Sequence, residues 1–392
     1  MNSNTKRNYF LSQPHQPFFI LGVANAVIMM LLFALAYKGV LALRVDTTVF
    51  HVYTLVFLLF NNVFTSFLFT TFPRFNQTEV IAKTYYTKIF FTNAIGTQLF
   101  VLGALVNTYL LLAAMVLLFV AQLFIVLKLH TIYLRGQAPD KTDSFWILTA
   151  EYFGLAAHML FIIIIAFDLP ALVPTAVNIA FYLYLIFLAF SVGQRMIPFF
   201  SHSWAEKNPN FIKIIFALFI LKSIFASATF ATGEIAVDLI LAAYMLKEFL
   251  RWDLHPFNSP SILWVLHLSL FWLPTAFALS AISLTAELVF DTSFYFLNIH
   301  LLAIGFLTTV LIGFGTRVTL GHAGMPPHAD KFATGIFLFI QLVILLRTLF
   351  SINVAFGWGA NFLFDISFSA WTLLFLLWSG RYGKILIFGK GA

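Results

Sequence analysis

Residues 300–324 read HLLAIGFLTTVLIGFGTRVTLGHAG, an apolar run opened by His300, with Arg317 near its close and His322 just beyond. A helix rises about 1.5 Å per residue, so the two histidines stand roughly 33 Å apart if the run is helical, close to the thickness of a bilayer. They cannot share one small ligand. Each needs partners at its own depth, and the rest of the chain can be searched for them.

Eleven further apolar segments of about this length fill the chain. Together the twelve expected spans run roughly 18–37, 50–72, 89–106, 109–129, 145–167, 171–192, 211–231, 235–250, 262–280, 294–314, 332–350 and 360–378. The third and fourth form one nearly continuous apolar run from Ile89 to Leu127, which at about 58 Å is too long for a single crossing. Asn107 is the natural break. The first span has no small-residue cleavage site after it and reads as a retained helix. Composition agrees: 61% of the 392 residues are hydrophobic and 9% charged, against about a quarter charged in a soluble domain. Mean hydropathy is +0.95. The expectation is an all-α integral membrane protein of about twelve transmembrane helices, a single polytopic domain over residues 1–392 with no soluble domain. The chain has no cysteine, which excludes disulfides, thiolate metal sites, iron–sulfur clusters and haem attached through Cys-x-x-Cys-His. Any metal must be held by His, Met or carboxylate.

Charge sets the expected orientation. The N-terminus (Lys6, Arg7), alternate loops and the C-terminus (Arg381, Lys384, Lys390) hold 18 of the 22 Lys and Arg residues. The opposite loops hold Lys38 and Arg44, and Lys222 and Arg347 fall inside spans. Basic residues accumulate on the cytoplasmic side, so both termini are expected inside. The formal charge of +7 then reflects topology, and membrane lipid, with no nucleic acid, is the expected surrounding. A threefold period accompanies this topology. Spans 2, 6 and 10 end as TTFPRF (70–75), VGQRMIPFF (192–200) and FGTRVTLGH (314–322), an arginine at each inner end, consistent with three four-helix groups. Helix dipole and loop bias also favour an arginine there.

With this topology His15, His130, His202, His255 and His328 fall in cytoplasmic segments and are expected in solvent. His51 and His300 open spans 2 and 10 at matching outer depth. Below His51, the residues Thr54, Asn61, Asn62 and Thr65 fall close to one helical face, which should point away from lipid. Below His300, Ile304, Leu307 and Leu311 continue its face, and Gly305 and Gly313 allow close approach. Two inward histidines at one depth can bind haem iron from both sides; equally, each can hydrogen-bond to a neighbour. Lys38 and Arg44, just before His51, are candidates to neutralise haem propionates or are ordinary exposed charges. The inner group is His267, His322, Arg195 and Arg317. Its two imidazoles supply part of a copper or second-haem site, or cap helix ends. Glu151 and His158, on one face of span 5, are either a proton relay or a buried pair.

Three segments resemble the NnrS proteins, a bacterial inner-membrane family described as containing haem and copper and associated with resistance to nitric oxide stress. Residues 178–200, NIAFYLYLIFLAFSVGQRMIPFF, are similar to its Gly-x-Arg-x-Ile-Pro-Phe-Phe segment. Residues 300–324 are similar to its His-x-Leu-x-x-Gly segment leading to Thr-Arg-x-Thr-Leu-Gly-His-x-Gly, and residues 51–75 resemble its histidine-led second helix. That helix usually begins His-x-His-Glu-Met, whereas this one reads His51-Val52-Tyr53-Thr54-Leu55. A metal site using the second histidine and the acid is then altered or absent, and copper is less secure. A more distant likeness is to haem–copper oxidase catalytic subunits, whose low-spin haem bridges histidines on helices 2 and 10 of twelve. Spans 6 and 7 hold no histidine, so an oxidase-type binuclear centre is not expected. The resemblances imply haem b held by His51 and His300, a role in nitric oxide tolerance, and an electron donor or nitric oxide as partner. The alternative is a polytopic transporter with Asn61, Asn62, Glu151 and Lys222 along a polar path.

Overall fold

A computed structural model describes residues 9–257 and 259–390; Lys6 and Arg7 lie outside the described residues. These form twelve long helices and no strand. The helices are α1 (His15–Tyr37), α2 (Thr47–Phe75), α3 (Lys83–Val106), α4 (Thr108–Arg135), α5 (Thr142–Phe167) and α6 (Pro170–Phe200), then α7 (Phe211–Ser227), α8 (Ala231–Arg251), α9 (Ser261–Phe290), α10 (Leu297–His322), α11 (Lys331–Phe356) and α12 (Phe362–Phe388). Each corresponds to one expected span. Ten are long and apolar enough to cross a membrane. The other two are α7, which has 17 residues, and α8, which carries Glu234, Asp238, Lys247, Glu248 and Arg251. The chain is an all-helical, multi-pass membrane protein.

Helix starts are written locally. The Asp46 carboxylate accepts from the amides of Thr48 and Val49 at 2.8 and 3.0 Å, and Asp330 accepts from Ala333 at 2.8 Å. These are the side-chain caps that orphan amides at a helix start require. Asn107 is where the long apolar run breaks. Its backbone is extended, and its side chain accepts from Tyr109 and Leu110 at 2.8 and 3.2 Å. A single residue thus separates α3 from α4. Gly103 permits the reversal: a Cβ there would lie 2.3 Å from the Leu111 amide nitrogen.

Helices α2, α6 and α10 depart from α-helical winding in the same way. Each contains a π-helical stretch: Thr54–Phe60, Ile179–Ile186 and Leu301–Thr308. In α6 and α10 the register is identical, with Asn178 and His300 immediately before the stretch and Arg195 and Arg317 equally far beyond it. Such winding is rare and concentrates at functional positions. The wide turns need extra hydrogen bonding, and side chains supply it. The Thr308 and Thr309 hydroxyls donate five residues back, to the carbonyls of Ala303 and Ile304 at 2.9 and 3.2 Å. In α2 the Leu58 carbonyl accepts from both Asn25 of α1 and Asn62, each at 2.8 Å. The four-helix period expected from three arginines thus recurs in the backbone.

The chain divides into two compact units, one comprising the described residues up to Leu185 together with those from Ser379, the other Ile186–Trp378. In the first, α1 closes on α2 at Gly22, where a Cβ would come within 2.8 Å of Val63. His15, expected in solvent, is instead 2% exposed. The helix begins three residues earlier than its apolar run suggests, so His15 enters the packed first turn and its carbonyl accepts from Ser66 at 3.0 Å. In the second unit, Gly305 and Gly313 allow the approach expected of them, Gly305 to Trp272 and Gly313 to Leu266 of α9. The Trp272 indole donates to Gln341 of α11 at 2.9 Å, and that of Trp378 donates to Thr316 at 3.0 Å.

Candidate functional site

His51 sits one turn into α2, behind the Asp46 cap. Its ring stacks on Phe33 of α1 with centroids 4.0 Å apart, which fixes the plane of the imidazole. Thr54, the first residue of the π-helical stretch, donates to the carbonyls of Phe50 and His51 at 2.8 and 3.2 Å. Lys38 and Arg44 lie exposed in the α1–α2 loop ahead of it, and the Arg44 amide donates to the Ala104 carbonyl at 2.7 Å.

His300, in the second unit, closes the first turn of α10. Its Nδ1 is 2.9 Å from the Phe296 carbonyl and 3.0 Å from the Arg347 guanidinium of α11. A protonated Nδ1 donates to Phe296 and places the ring's lone pair on Nε2; an unprotonated Nδ1 accepts from Arg347 instead. The first tautomer is that of a metal ligand, since a ligating imidazole usually donates its other N–H to a carbonyl or carboxylate. Arg347 is itself anchored by Ser351 and by the Tyr295 carbonyl at 3.2 Å. It is 9% exposed. A lone arginine inside an apolar run was the signal for it, though not for its partner.

Below His51 lies a neutral polar network buried in the first unit. Thr54, Asn61, Asn62 and Thr65 of α2 are all at most 4% exposed, as their shared face implied. Tyr184 of α6 donates to Asn61 at 2.8 Å, and Asn93 of α3 donates to Asn62 at 3.0 Å. His158 joins two further helices. Its Nδ1 is 2.7 Å from Gln122 Oε1 of α4, and its Nε2 is 2.7 Å from the Tyr53 hydroxyl of α2. An amide oxygen only accepts, so Nδ1 carries the proton, and Tyr53 donates to Nε2. Phe57 stacks on the same imidazole at 4.1 Å. Glu151, one end of the expected relay, is 1% exposed, and its Oε2 is without a hydrogen-bond partner. The sequence reading missed Tyr53 and Gln122, isolated polar groups in apolar runs whose partners lie far along the chain.

The inner group behaves differently. His267 is 3% exposed, and its Nε2 is 2.6 Å from the Ser201 hydroxyl, which donates to Ile197 at 2.8 Å. Arg317 lies over the Phe200 ring at 4.0 Å, a cation–π contact. Arg195 is half-buried in α6, and His322 half-buried at the last residue of α10. Among the described residues no three His, Asp or Glu side chains gather as a metal site would require.

The family model described as NnrS: NnrS protein matches residues 9–388, nearly the whole chain. No curated protein matches the sequence.

Proposed function

The chain belongs to the NnrS family, and on that premise we propose that it is a haem-containing protein of the bacterial inner membrane, acting in tolerance to nitric oxide or related nitrosative stress, with His51 and His300 as axial ligands and both termini inside. The observation carrying this reading is the setting shared by the two histidines. Each stands near the start of a helix, just ahead of a π-helical stretch, and each ring is held by a specific neighbour, Phe33 for His51 and the Phe296 carbonyl for His300.

The chain's own groups have defined tasks in this reading. Phe33 fixes the plane of His51. In this reading His300 takes the tautomer that donates Nδ1–H to the Phe296 carbonyl and ligates through Nε2, and Arg347 puts a fixed positive charge beside that ring. Lys38 and Arg44 are placed in sequence to meet propionates through charge-assisted hydrogen bonds. Bis-histidine haem b supplies one-electron exchange, and with both axial positions filled it does not favour gas binding. The partner in this reading is an electron donor or nitric oxide.

A reduced-minus-oxidised optical spectrum of the purified protein, beside His51→Ala and His300→Ala, tests the assignment. The expected result is a low-spin haem spectrum that is lost in both variants while each elutes as a folded monodisperse species. A well-folded wild type without haem, or variants that keep the low-spin spectrum, would overturn it.

A further inference from the structure

The second unit contains a buried ionic cluster to which the haem reading assigns no task. Lys222 of α7 is 0% exposed. Its ammonium donates to Glu234 Oε2 and Asp238 Oδ2 of α8, both at 2.8 Å. Glu234 and Asp238 are four residues apart and share a helix face. With all three groups ionised, one negative charge is in excess, and a buried uncompensated charge is among the costliest features a fold can hold. Something must supply one positive charge.

The two acids are not equivalent. Glu234 lies in the first turn of α8, where helix-terminal amides favour an anion, and its side chain keeps 10% exposure. Asp238 sits one turn deeper and is 0% exposed. Its second oxygen, Oδ1, completes no hydrogen bond, and neither does the Ser280 Oγ of α9. The groups acting on Asp238 are Lys222 from α7, Glu234 from its own helix and Ser280 from α9.

We propose that Lys222, Glu234, Asp238 and Ser280 form a proton-binding site, in which Lys222 and Glu234 are charged and Asp238 carries one exchangeable proton on Oδ1. The proton enters from water at the α7–α8 turn, where Glu234 is the partly exposed member, and leaves by the same route; Lys222 keeps its own protons throughout. Occupancy is set by charge balance around a single lysine. The site is independent of the haem assignment and does not require a metal.

Infrared difference spectroscopy of the purified full-length protein in H2O and D2O reads the site directly. Near neutral pH the wild type is expected to show a protonated-carboxyl C=O band that moves to lower frequency in D2O and is absent from Asp238→Asn. Glu234→Gln is expected to abolish the same band although Asp238 is untouched, since Lys222 then balances a single carboxylate. Ser280→Ala is expected to keep the band and shift its frequency. If Asp238→Asn does not fold, the isosteric Glu234→Gln decides alone. A band that persists in Glu234→Gln overturns the proposal. So does a wild type lacking the band, including one in which sodium is found to balance the cluster instead.

Discussion

The polar contacts that join helices differ between the two units. The first joins uncharged side chains donor to acceptor: Tyr53 to His158, His158 to Gln122, Tyr184 to Asn61 and Asn93 to Asn62. Its loop cations Lys38 and Arg44 stay exposed. The second buries ions outright, in Lys222 with its two acids and in Arg347 beside His300. A neutral chain such as Tyr53–His158–Gln122 needs only geometry, so its protonation is fixed once the helices pack. An ionic cluster must also satisfy an arithmetic of charge, which leaves it able to change state without repacking.

This contrast sets an order of effects. Lys222→Met leaves the Glu234 carboxylate without its counter-charge, and the loss is expected at about 3–5 kcal/mol, the cost of breaking a buried pair by removing one partner. Thermal unfolding of the purified variant checks it, and restoring much of the loss with Glu234→Gln in the same chain would identify charge as the cause. Tyr53→Phe removes only the donor to His158 Nε2. The expected loss is about 0.6 kcal/mol, the average for interhelical hydrogen bonds in membranes, and at most about 1.7 kcal/mol, read in the same melts. If Tyr53→Phe costs as much as Lys222→Met, the distinction between the units fails. Lys38→Gln, in an exposed loop, is expected to change stability by less than about 0.5 kcal/mol. In the haem reading it nevertheless shifts the midpoint potential, which a spectroelectrochemical titration measures.

Much of this fold is legible from single-residue signals. The break at Asn107 follows from the length of the apolar run together with the side chain best able to cap a new helix. The inward face of α2 follows from the spacing of Thr54, Asn61, Asn62 and Thr65, because polar groups in lipid must turn toward protein. Periodicity says which way a residue faces but not what it meets. Lys222 was visible as an intramembrane charge, yet its partners lie on α8, where the same Glu234 and Asp238 merely weakened the apolar signal. The burial of His15 was hidden because the first turn of α1 precedes the apolar run. The π-helical stretches left no trace in hydropathy, since widening a turn changes hydrogen bonding and not composition. Of the candidate site, the sequence named both histidines and the intraspan Arg347, but not that packing brings Phe33 to His51 and Arg347 to His300, nor that the Phe296 carbonyl, four residues back, meets the His300 ring.

The one-residue link at Asn107 has a consequence for how the chain is made. Two apolar helices joined by so little polar chain, with the new amides already capped by Asn107 itself, leave almost nothing hydrophilic to be carried across the bilayer. Helices α3 and α4 can therefore partition into the membrane together as a preformed hairpin during synthesis, rather than threading one after the other.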